Sequence, residues 1–171
     1  MHLRKYPNFA RRKKFRVQIT LRPYRADEFE ASAEIREITD EVALQRWRTR
    51  VINSGKWDDH YFHLAIEYEG KLVGDLQVRH CNQTMPQGTL ELGIDVQTQV
   101  RGRGIGTEVL RLAASKFFAE GAHRISASTD SENKAMIRAF QKAGWNHEGT
   151  LIGLFKIEGK LHNYESFSIT N

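Results

Sequence analysis

The most informative stretch of this chain is the glycine-rich sequence Arg101-Gly102-Arg103-Gly104-Ile105-Gly106-Thr107. It follows the strand-like run Leu90–Val96 and precedes the apolar-periodic segment Val109–Phe118. Glycines allow backbone angles and close approaches that are closed to other residues. A turn of this kind, placed between a strand and a helix, leaves N–H groups free at the positive end of the helix dipole. We therefore predict that this turn binds a phosphate group.

Two familiar nucleotide-binding loops differ from this turn. A Walker-type loop ends in Gly-Lys-Ser/Thr, whereas Gly106-Thr107 lacks the lysine. The dinucleotide fingerprint has the spacing Gly-x-Gly-x-x-Gly after the first strand of a βαβ unit, but here the spacing is Gly-x-Gly-x-Gly. The structural alternative is a plain strand-to-helix turn. Because two arginines are interleaved with the three glycines, we favour phosphate binding over that alternative.

The composition is that of a single soluble globular domain. The chain has 171 residues, of which 40% are hydrophobic and 27% charged. No apolar run approaches the roughly 18 residues of a membrane helix, and no signal-peptide core follows the N-terminus. Cys81 is the one cysteine, which excludes an intrachain disulfide and a cysteine-based zinc cage. We expect a cytoplasmic protein without a membrane partner.

The net charge of +5 belongs to the N-terminus. Residues 1–16 hold seven of the 26 Lys and Arg residues and no acid, so the remainder carries 19 basic against 21 acidic residues. We predict a basic N-terminal tail over residues 1–15 and one domain over residues 16–171. A solvated arm is the favoured interpretation of this tail, with nucleic-acid binding as the alternative.

Hydrophobic periodicity predicts eleven elements in the order β-α-α-β-β-β-α-β-α-β-β. The predicted strands are Phe15–Pro23, Tyr61–Tyr68, Leu72–His80, Thr89–Val96, Arg124–Ser128, Trp145–Ile157 and Lys160–Ile169. The predicted helices are Ala26–Glu37, Asp40–Asn53, Gly104–Ala119 and Ser131–Lys142, the last capped by Ser131 or Asp130. This order predicts an α/β (α+β) fold with a mixed, mostly antiparallel central sheet flanked by helices. It excludes a doubly wound nucleotide-binding fold, because too few strands feed crossover helices.

The turn, the last helix and the order of elements together resemble the GNAT superfamily of acyl-CoA-dependent N-acyltransferases. The pyrophosphate turn of that family, Gln/Arg-x-x-Gly-x-Gly/Ala, is matched by Arg101, Gly104 and Gly106. The start of the last helix is a looser match, because Asn133 lies only two residues before an alanine and Trp145 stands where the family has Phe. The resemblance covers nearly all of the chain after residue 16. The segment 159–169 resembles the branch that contains ribosomal-protein N-terminal acetyltransferases.

The resemblance implies that acetyl-CoA lies where two parallel strands, Leu90–Val96 and Arg124–Ser128, splay apart. N–H groups of the glycine turn would hold the pyrophosphate, and the backbone of residues 94–96 would pair with the pantetheine arm. Asn133 would contact the arm or its phosphate end, although a local backbone bond is the simpler role for that side chain. The implied cofactor-binding residues are Ile94, Asp95, Val96, Arg101, Gly102, Arg103, Gly104, Ile105, Gly106, Thr107 and Asn133.

Acetyl transfer to an amine requires a base, an oxyanion donor and a proton for the departing thiolate. The resemblance makes Glu91 the candidate base and the N–H of Val96 the candidate donor. Many relatives carry a tyrosine where this chain has Phe140, so either another group, with Tyr164 as the candidate, or water supplies the proton. A salt-bridged Glu91 and a packed Tyr164 with a satisfied hydroxyl are the structural alternatives.

Two functions of different classes follow from these features. The first is an N-acetyltransferase that moves an acetyl group from acetyl-CoA to a primary amine within a ternary complex. The second is a catalytically silent acyl-CoA-binding domain, which Phe140 suggests. The scattered histidines predict no metal site. The acceptor, a small-molecule or peptide amine, and a homodimer are left open. We expect acceptor contacts from the first two helices, the loop Cys81–Gly88 and the terminal hairpin. Trp47, Trp57 and the pair Asp58-Asp59 lie in or near these regions.

Overall fold

The computed structural model of the chain describes residues 17–58, 60–80 and 85–171. The predicted basic tail, Asp59 and Cys81 lie outside these ranges, so the predictions made for them are not addressed by the structure. The predicted division into a tail and one domain likewise stays a prediction. No helix of the described ranges is both long and apolar enough to cross a membrane.

Seven strands of the described residues form one sheet. They are β1 (Ile19–Arg22), β2 (Tyr61–Tyr68), β3 (Lys71–His80), β4 (Thr89–Val96), β5 (Arg124–Asp130), β6 (Asn146–Ile157) and β7 (Lys160–Thr170). Their spatial order is β1-β2-β3-β4-β5-β7-β6. Neighbouring strands are antiparallel except for β4 and β5, which are parallel. The predicted mixed, mostly antiparallel sheet is thus confirmed.

Four α-helices flank the sheet: α1 (Phe29–Ile35), α2 (Glu41–Ile52), α3 (Ile105–Ala119) and α4 (Lys134–Ala143). The first helix is shorter than predicted because its start, Ala26–Glu28, is a 3-10 turn. There the carboxylate of Glu28 accepts a hydrogen bond from the N–H of Arg25 at 2.8 Å. Asp40 caps α2, since its side chain accepts from the N–H of Ala43 at 2.8 Å.

The predicted start of the last helix is wrong. Strand β5 continues to Asp130, and α4 begins only at Lys134. Its N-cap is Asn133, whose side-chain oxygen accepts from the N–H of Met136 at 3.1 Å. The hydroxyl of Ser131, one of the two predicted caps, instead donates to Glu165 at 2.8 Å. The polar cluster at residues 130–133 offered several capping side chains, and only the tertiary structure selects among them.

The two faces of the sheet pack against different helices. On the α3/α4 face, Leu90 and Leu92 of β4 are buried in one cluster with Val109 and Phe140. On the α1/α2 face, Ala65 of β2 is buried in a second cluster formed by residues of α1 and α2. Because side chains alternate along a strand, the residues of β4 between its leucines point to the α1/α2 face. The same strand therefore contributes to both sides of the sheet.

Candidate active site

A cleft opens between β4 and β5 where their pairing ends. The two strands are paired only at Thr89–Arg124, Leu90–Ile125 and Glu91–Ser126. Beyond Glu91 they separate, although β4 continues to Val96 and β5 to Asp130. The cleft has a volume of about 460 Å³ and is bounded further by the start of α3 and by α4. The two parallel strands separate here, as the family resemblance implied.

The outer neighbours of the two strands hold the cleft open. Strand β3 stays paired with β4 as far as Gly74–Val96, and β7 stays paired with β5 as far as Asp130–Tyr164. Gly74 is required for this arrangement, because a Cβ at that position would lie 2.3 Å from the carbonyl oxygen of Asp95. Each of the two strands therefore stays paired with its outer neighbour, and the space between β4 and β5 remains open.

The main chain of β4 presents polar groups to the cleft. Beyond the end of the strand, the N–H of Gln97 donates to the carbonyl oxygen of Val73 on the β3 side at 2.9 Å. Because main-chain groups alternate between the two edges of an antiparallel strand, those of Ile94 and Val96 point into the cleft. The main-chain groups of Asp95, by the same alternation, point to β3. An extended ligand could therefore pair with β4 through residues 94 and 96.

The glycine turn delivers further N–H groups to the cleft. Gly102 and Gly104 have φ angles of 78° and 87°, which glycine adopts without strain. Gly104 is the N-cap of α3 and supplies no side-chain cap. The first N–H groups of α3, at residues 105–107, therefore have no partner within the helix. These amides and the helix dipole suit an anion such as a phosphate group.

Nearly the whole predicted cofactor set lines this one cleft. The exception is Arg103, which is exposed and is not among the lining residues. Arg101 lies at the cleft mouth, and its Nε donates to the carbonyl oxygen of Val96 at 2.9 Å. The lining residues from the predicted set are Ile94, Asp95, Val96, Arg101, Gly102, Gly104, Ile105, Gly106, Thr107 and Asn133.

Sequence reasoning missed the basic wall of the cleft. Arg138 and Lys142 of α4 both line it, opposite the glycine turn. Their spacing of four residues was the available signal, because residues four apart share one helix face. The small side chains of β5 at Ser128 and Thr129 were missed as well. Arg101 next to the glycine turn, together with the two basic residues of α4, makes the cleft suitable for an anionic ligand.

The position of Asn133 is compatible with both roles considered for it, a ligand contact and a local bond at the start of α4. Its side-chain oxygen caps α4, and this leaves the two N–H donors of the amide free to bind a ligand in the cleft. We expect Asn133→Asp to keep the cap but to remove those donors. Acetyl-CoA affinity should then fall about 5- to 10-fold, whereas thermal stability stays unchanged. Titration calorimetry and thermal unfolding measure the two effects.

The matched control for that prediction is Asn133→Ala, which removes the cap as well. It should lower the free energy of unfolding by about 1 kcal/mol in addition to weakening the ligand. If Asn133→Asp binds acetyl-CoA as tightly as the parent chain, Asn133 is a helix cap and nothing more.

Glu91 lies at the apex of the cleft, on the α1/α2 face. It is the last residue of β4 that is paired with β5, and it does not line the cleft itself. Arg79 of β3 donates to both of its carboxylate oxygens, at 2.6 and 3.1 Å. The salt-bridged alternative is therefore part of the structure, and the arginine fixes the direction of the carboxylate. Two residues further along β4, Gly93 presents no side chain to the same face.

Tyr164 lies on β7, across the open end of the cleft from Asp95. It is paired with Asp130, the last residue of β5, and its ring packs on Phe155 with centroids 4.8 Å apart. It is half-buried, so the role as an acid and the packed alternative both stay predictions. Tyr164 and Glu91 are four residue levels apart along the sheet, which is roughly 13 Å at about 3.3 Å per residue.

A buried charge network on the α1/α2 face was not predicted. Asp75 is fully buried and accepts hydrogen bonds from the hydroxyl of Tyr24 at 2.8 Å and from Arg36 at 2.5 Å. His63 approaches the same carboxylate at 3.3 Å. Arg36 also donates to Asp95 at 3.1 Å, so one arginine joins the two acids. Burial raises the pKa of Asp95, and the positive charge of Arg36 partly opposes that rise.

This network could be found only from strand register. Asp75 and Asp95 lie 20 positions apart and become cross-strand neighbours because β3 and β4 pair in antiparallel register. The tryptophan expected to meet the acceptor is, by contrast, structural. Trp47 is 1% exposed and donates to the hydroxyl of Ser32 at 2.9 Å, so it contacts no ligand. Trp57 stacks on His80 with ring centroids 3.8 Å apart.

Phe140 closes the inner end of the cleft. It is buried and stacks on Phe167 with ring centroids 4.5 Å apart. It therefore offers the cleft an apolar surface and no proton. No group of three or more His, Cys, Asp or Glu side chains that could hold a metal ion occurs among the described residues.

Comparison with known proteins gives one consistent result. Residues 21–145 match the family model described as the acetyltransferase (GNAT) family. "Probable N-acetyltransferase YjcK" of Bacillus subtilis (strain 168) is 27% identical over 117 residues, which are 68% of this chain. The match spans 64% of that protein, which is less than two thirds of its length.

Two solved structures illustrate the shared fold. The dodecameric spermidine N-acetyltransferase from Vibrio cholerae is 17% identical with a TM-score of 0.73, over 90% of this chain and 94% of that chain. RimJ of Mycobacterium smegmatis, solved in complex with CoA-disulfide, is 23% identical with a TM-score of 0.66, over 89% and 81% of the respective chains. At these identities the likeness shows the fold.

Proposed function

The chain belongs to the acetyltransferase (GNAT) family, and on that premise we propose that it moves an acetyl group from acetyl-CoA to a primary amine by direct attack in a ternary complex. The observation that carries this proposal is the cleft between β4 and β5. Its open strand edge, glycine turn and helix N-terminus meet in one place and match the parts of an acetyl-CoA molecule.

Acetyl-CoA would bind through three sets of groups. Its diphosphate would accept hydrogen bonds from the amides of residues 102–107, where the dipole of α3 adds positive potential. Its pantetheine arm would pair with the main chain of Ile94 and Val96, whose polar groups face the cleft. Arg138 and Lys142 on the opposite wall would attract its remaining phosphate charge.

The chemistry would proceed on the α1/α2 face. An ammonium is not a nucleophile, so Glu91 would first take a proton from the acceptor, directly or through water. The amine nitrogen then attacks the thioester carbon, and the carbonyl oxygen gains negative charge that the N–H of Val96 would stabilise. Collapse breaks the carbon–sulfur bond and releases the CoA thiolate, and the nitrogen loses its second proton to water to give the neutral amide. The thiolate would take its proton from Tyr164 or from water.

The acceptor would enter above Gly93. A Cβ built on Gly93 meets no atom nearer than Oε1 of Gln77, at 4.0 Å, so this part of the face is open. Asp95 lies two residues further along the strand and would attract a cationic amine. We propose a small-molecule or peptide amine as the acceptor. The sequence of the closing hairpin, residues 159–169, supports the branch that contains ribosomal-protein N-terminal acetyltransferases.

A screen for release of free thiol from acetyl-CoA tests this proposal. Polyamines, aminoglycosides, amino acids and peptide N-termini serve as acceptors, with buffer as the blank. We expect at least one class to release thiol well above the blank, and the acetylated product to be visible by mass spectrometry. Absence of acetyl-CoA binding at millimolar concentration would contradict the proposal as a whole.

A silent acyl-CoA-binding domain is the second candidate, and Phe140 is the observation that favours it. A buried phenyl ring lies in the cleft where many relatives have a tyrosine. Such a domain would bind acetyl-CoA in calorimetry and yet release no thiol with any acceptor of the panel. The same pair of measurements therefore separates the two candidates.

A further inference from the structure

Two acids face each other across the strands that carry the acceptor face. Asp75 of β3 and Asp95 of β4 are directly paired in the antiparallel register. Like charges in directly opposed positions repel each other, so this pair needs a cation between its members. Arg36, which follows α1, supplies that cation, because its Nη1 atom donates to Asp75 at 2.5 Å and to Asp95 at 3.1 Å. We call these three residues the acid–arginine triad.

The two acids of the triad have unequal surroundings. The side chain of Asp75 is 1% exposed, whereas that of Asp95 is 51% exposed. A buried carboxylate without a cation is very costly to the fold, and an exposed one is solvated by water. The shorter of the two bonds from Arg36 goes to Asp75. The arginine therefore serves mainly the acid that water cannot reach.

The other partners of Asp75 contribute no charge. Burial and the carboxylate of Asp75 raise the pKa of Tyr24, so its hydroxyl stays protonated and donates to that carboxylate. The Nδ1 atom of His63 lies 3.3 Å from the same acid, and its Nε2 atom is buried with no hydrogen-bond partner among the described residues. A ring protonated on both nitrogens would leave a buried donor unpaired, which is unfavourable. We therefore count His63 as neutral and Arg36 as the cation that balances Asp75.

We propose that Asp75 is a positioning residue for acceptor binding, because it takes up the charge of Arg36 and leaves the charge of Asp95 available to a cationic acceptor. The triad holds two acids and one base, so one negative charge is left over, and it lies on the exposed member. Without Asp75, the arginine would pair with Asp95 alone and neutralise that charge. This inference rests on the proposed function and adds the residue that keeps its acceptor-binding charge free.

The same contacts fix the direction of Asp95. The guanidinium of Arg36 lies over the ring of the buried Trp47, 4.9 Å from its centroid, so the arginine is held from two sides. It donates to the Oδ2 atom of Asp95, and the second oxygen of that carboxylate can accept a hydrogen bond from an ammonium group. Asp95 lies two residues beyond Gly93 on the same side of β4 as Glu91. Its charge therefore lies beside the proposed entry of the acceptor.

The pKa of the Asp95 side chain is the direct readout of this arrangement. NMR of the carboxyl carbons in the labelled full chain measures it, and the spectrum of Asp95→Asn identifies the signal. Burial raises this pKa, the charge of Arg36 lowers it and the charge of Asp75 raises it. Arg101 and Glu37 also act on it and are the same in all variants. We expect Asp75→Asn to lower the pKa of Asp95 and Arg36→Gln to raise it.

Acceptor kinetics at saturating acetyl-CoA measure the consequence for binding. The probe is the amine that releases the most thiol in the screen described above. Asp75→Asn should raise the KM of that amine about 5-fold and keep kcat, because the charge on the acceptor face is then neutralised. The double variant Asp75→Asn, Arg36→Gln again leaves one negative charge on Asp95, so KM should return to within about 2-fold of the parent value. A merely structural role of the triad predicts a greater loss in the double variant.

Glu148→Gln is the matched control, because Glu148 also accepts two hydrogen bonds from one arginine, Arg124 at the start of β5. It should change neither the pKa of Asp95 nor the KM. Circular dichroism and thermal unfolding show whether each variant is folded. Should Asp75→Asn unfold, Arg36→Gln alone decides, because it should raise the pKa of Asp95 without raising the KM.

Two results would overturn the inference. One is a pKa of Asp95 that stays the same in the folded variants of the triad. The other is a KM that rises as much in the double variant as in Asp75→Asn. Absence of acetylation with the whole panel would instead contradict the proposed function, and the pKa of Asp95 would then still show whether Asp75 keeps its charge free.

Discussion

Gly102→Asp is expected to weaken acetyl-CoA binding about 30-fold while the fold is retained. Gly102 has a φ of 78°, a conformation that Asp and Asn tolerate better than other residues with a side chain. A Cβ at this position meets no atom within 4 Å, so there is room for the new side chain. The effect comes from one negative charge beside the diphosphate. At a separation of about 7 Å and an effective dielectric constant of about 20, that charge costs roughly 2 kcal/mol.

Gly102→Asn is the matched control for this prediction, because it has nearly the same shape and no charge. It should change the dissociation constant of acetyl-CoA by less than about 3-fold in titration calorimetry. The difference between the two variants should shrink as the salt concentration rises, since salt screens charges at the protein surface. Equal losses in the two variants would assign the effect to the backbone. No loss in either would move the diphosphate away from the turn.

The order and type of the elements could be predicted because each depends on local pattern. The apolar alternation in Tyr61–Tyr68 and the glycine that follows α3 both act within a few residues of the element they define. The polar cluster at residues 130–133 shows a limit of prediction from local pattern. Several of its side chains suit a helix cap, and the start of α4 is fixed by the extension of β5 to Asp130. That extension depends on pairing with β7, which a local pattern does not contain.

For the candidate site as well, some parts could be predicted from local sequence and others could not. The glycine turn was visible in the sequence because backbone geometry alone demands its residues. The opening beside it depends on β3 and β7 drawing β4 and β5 apart, which is a property of the whole sheet. The joining of Asp75 to Asp95 through Arg36 likewise requires the register of two strands and the position of α1. Contacts between distant residues were therefore the part that sequence reasoning missed.

Glu91→Gln is expected to lower kcat about 100- to 1,000-fold, within the usual contribution of a positioned general base. The amide keeps the shape of the side chain and can still accept a hydrogen bond from Arg79, so the strand should be undisturbed. Acetyl-CoA affinity should stay within about 2-fold, because Glu91 does not line the cleft.

Asp95→Asn is the comparison that separates a base from a binding charge. Asp95 points to the same face of β4 as Glu91, and its carboxylate is held by Arg36 at 3.1 Å. If Asp95 only attracts the acceptor, its variant should raise the acceptor KM about 10-fold and keep kcat. Steady-state kinetics with varied acceptor concentration measures kcat and KM for both variants. Should kcat be kept in Glu91→Gln and fall in Asp95→Asn, the proton is taken by Asp95, and Glu91 is left as the partner that orients Arg79.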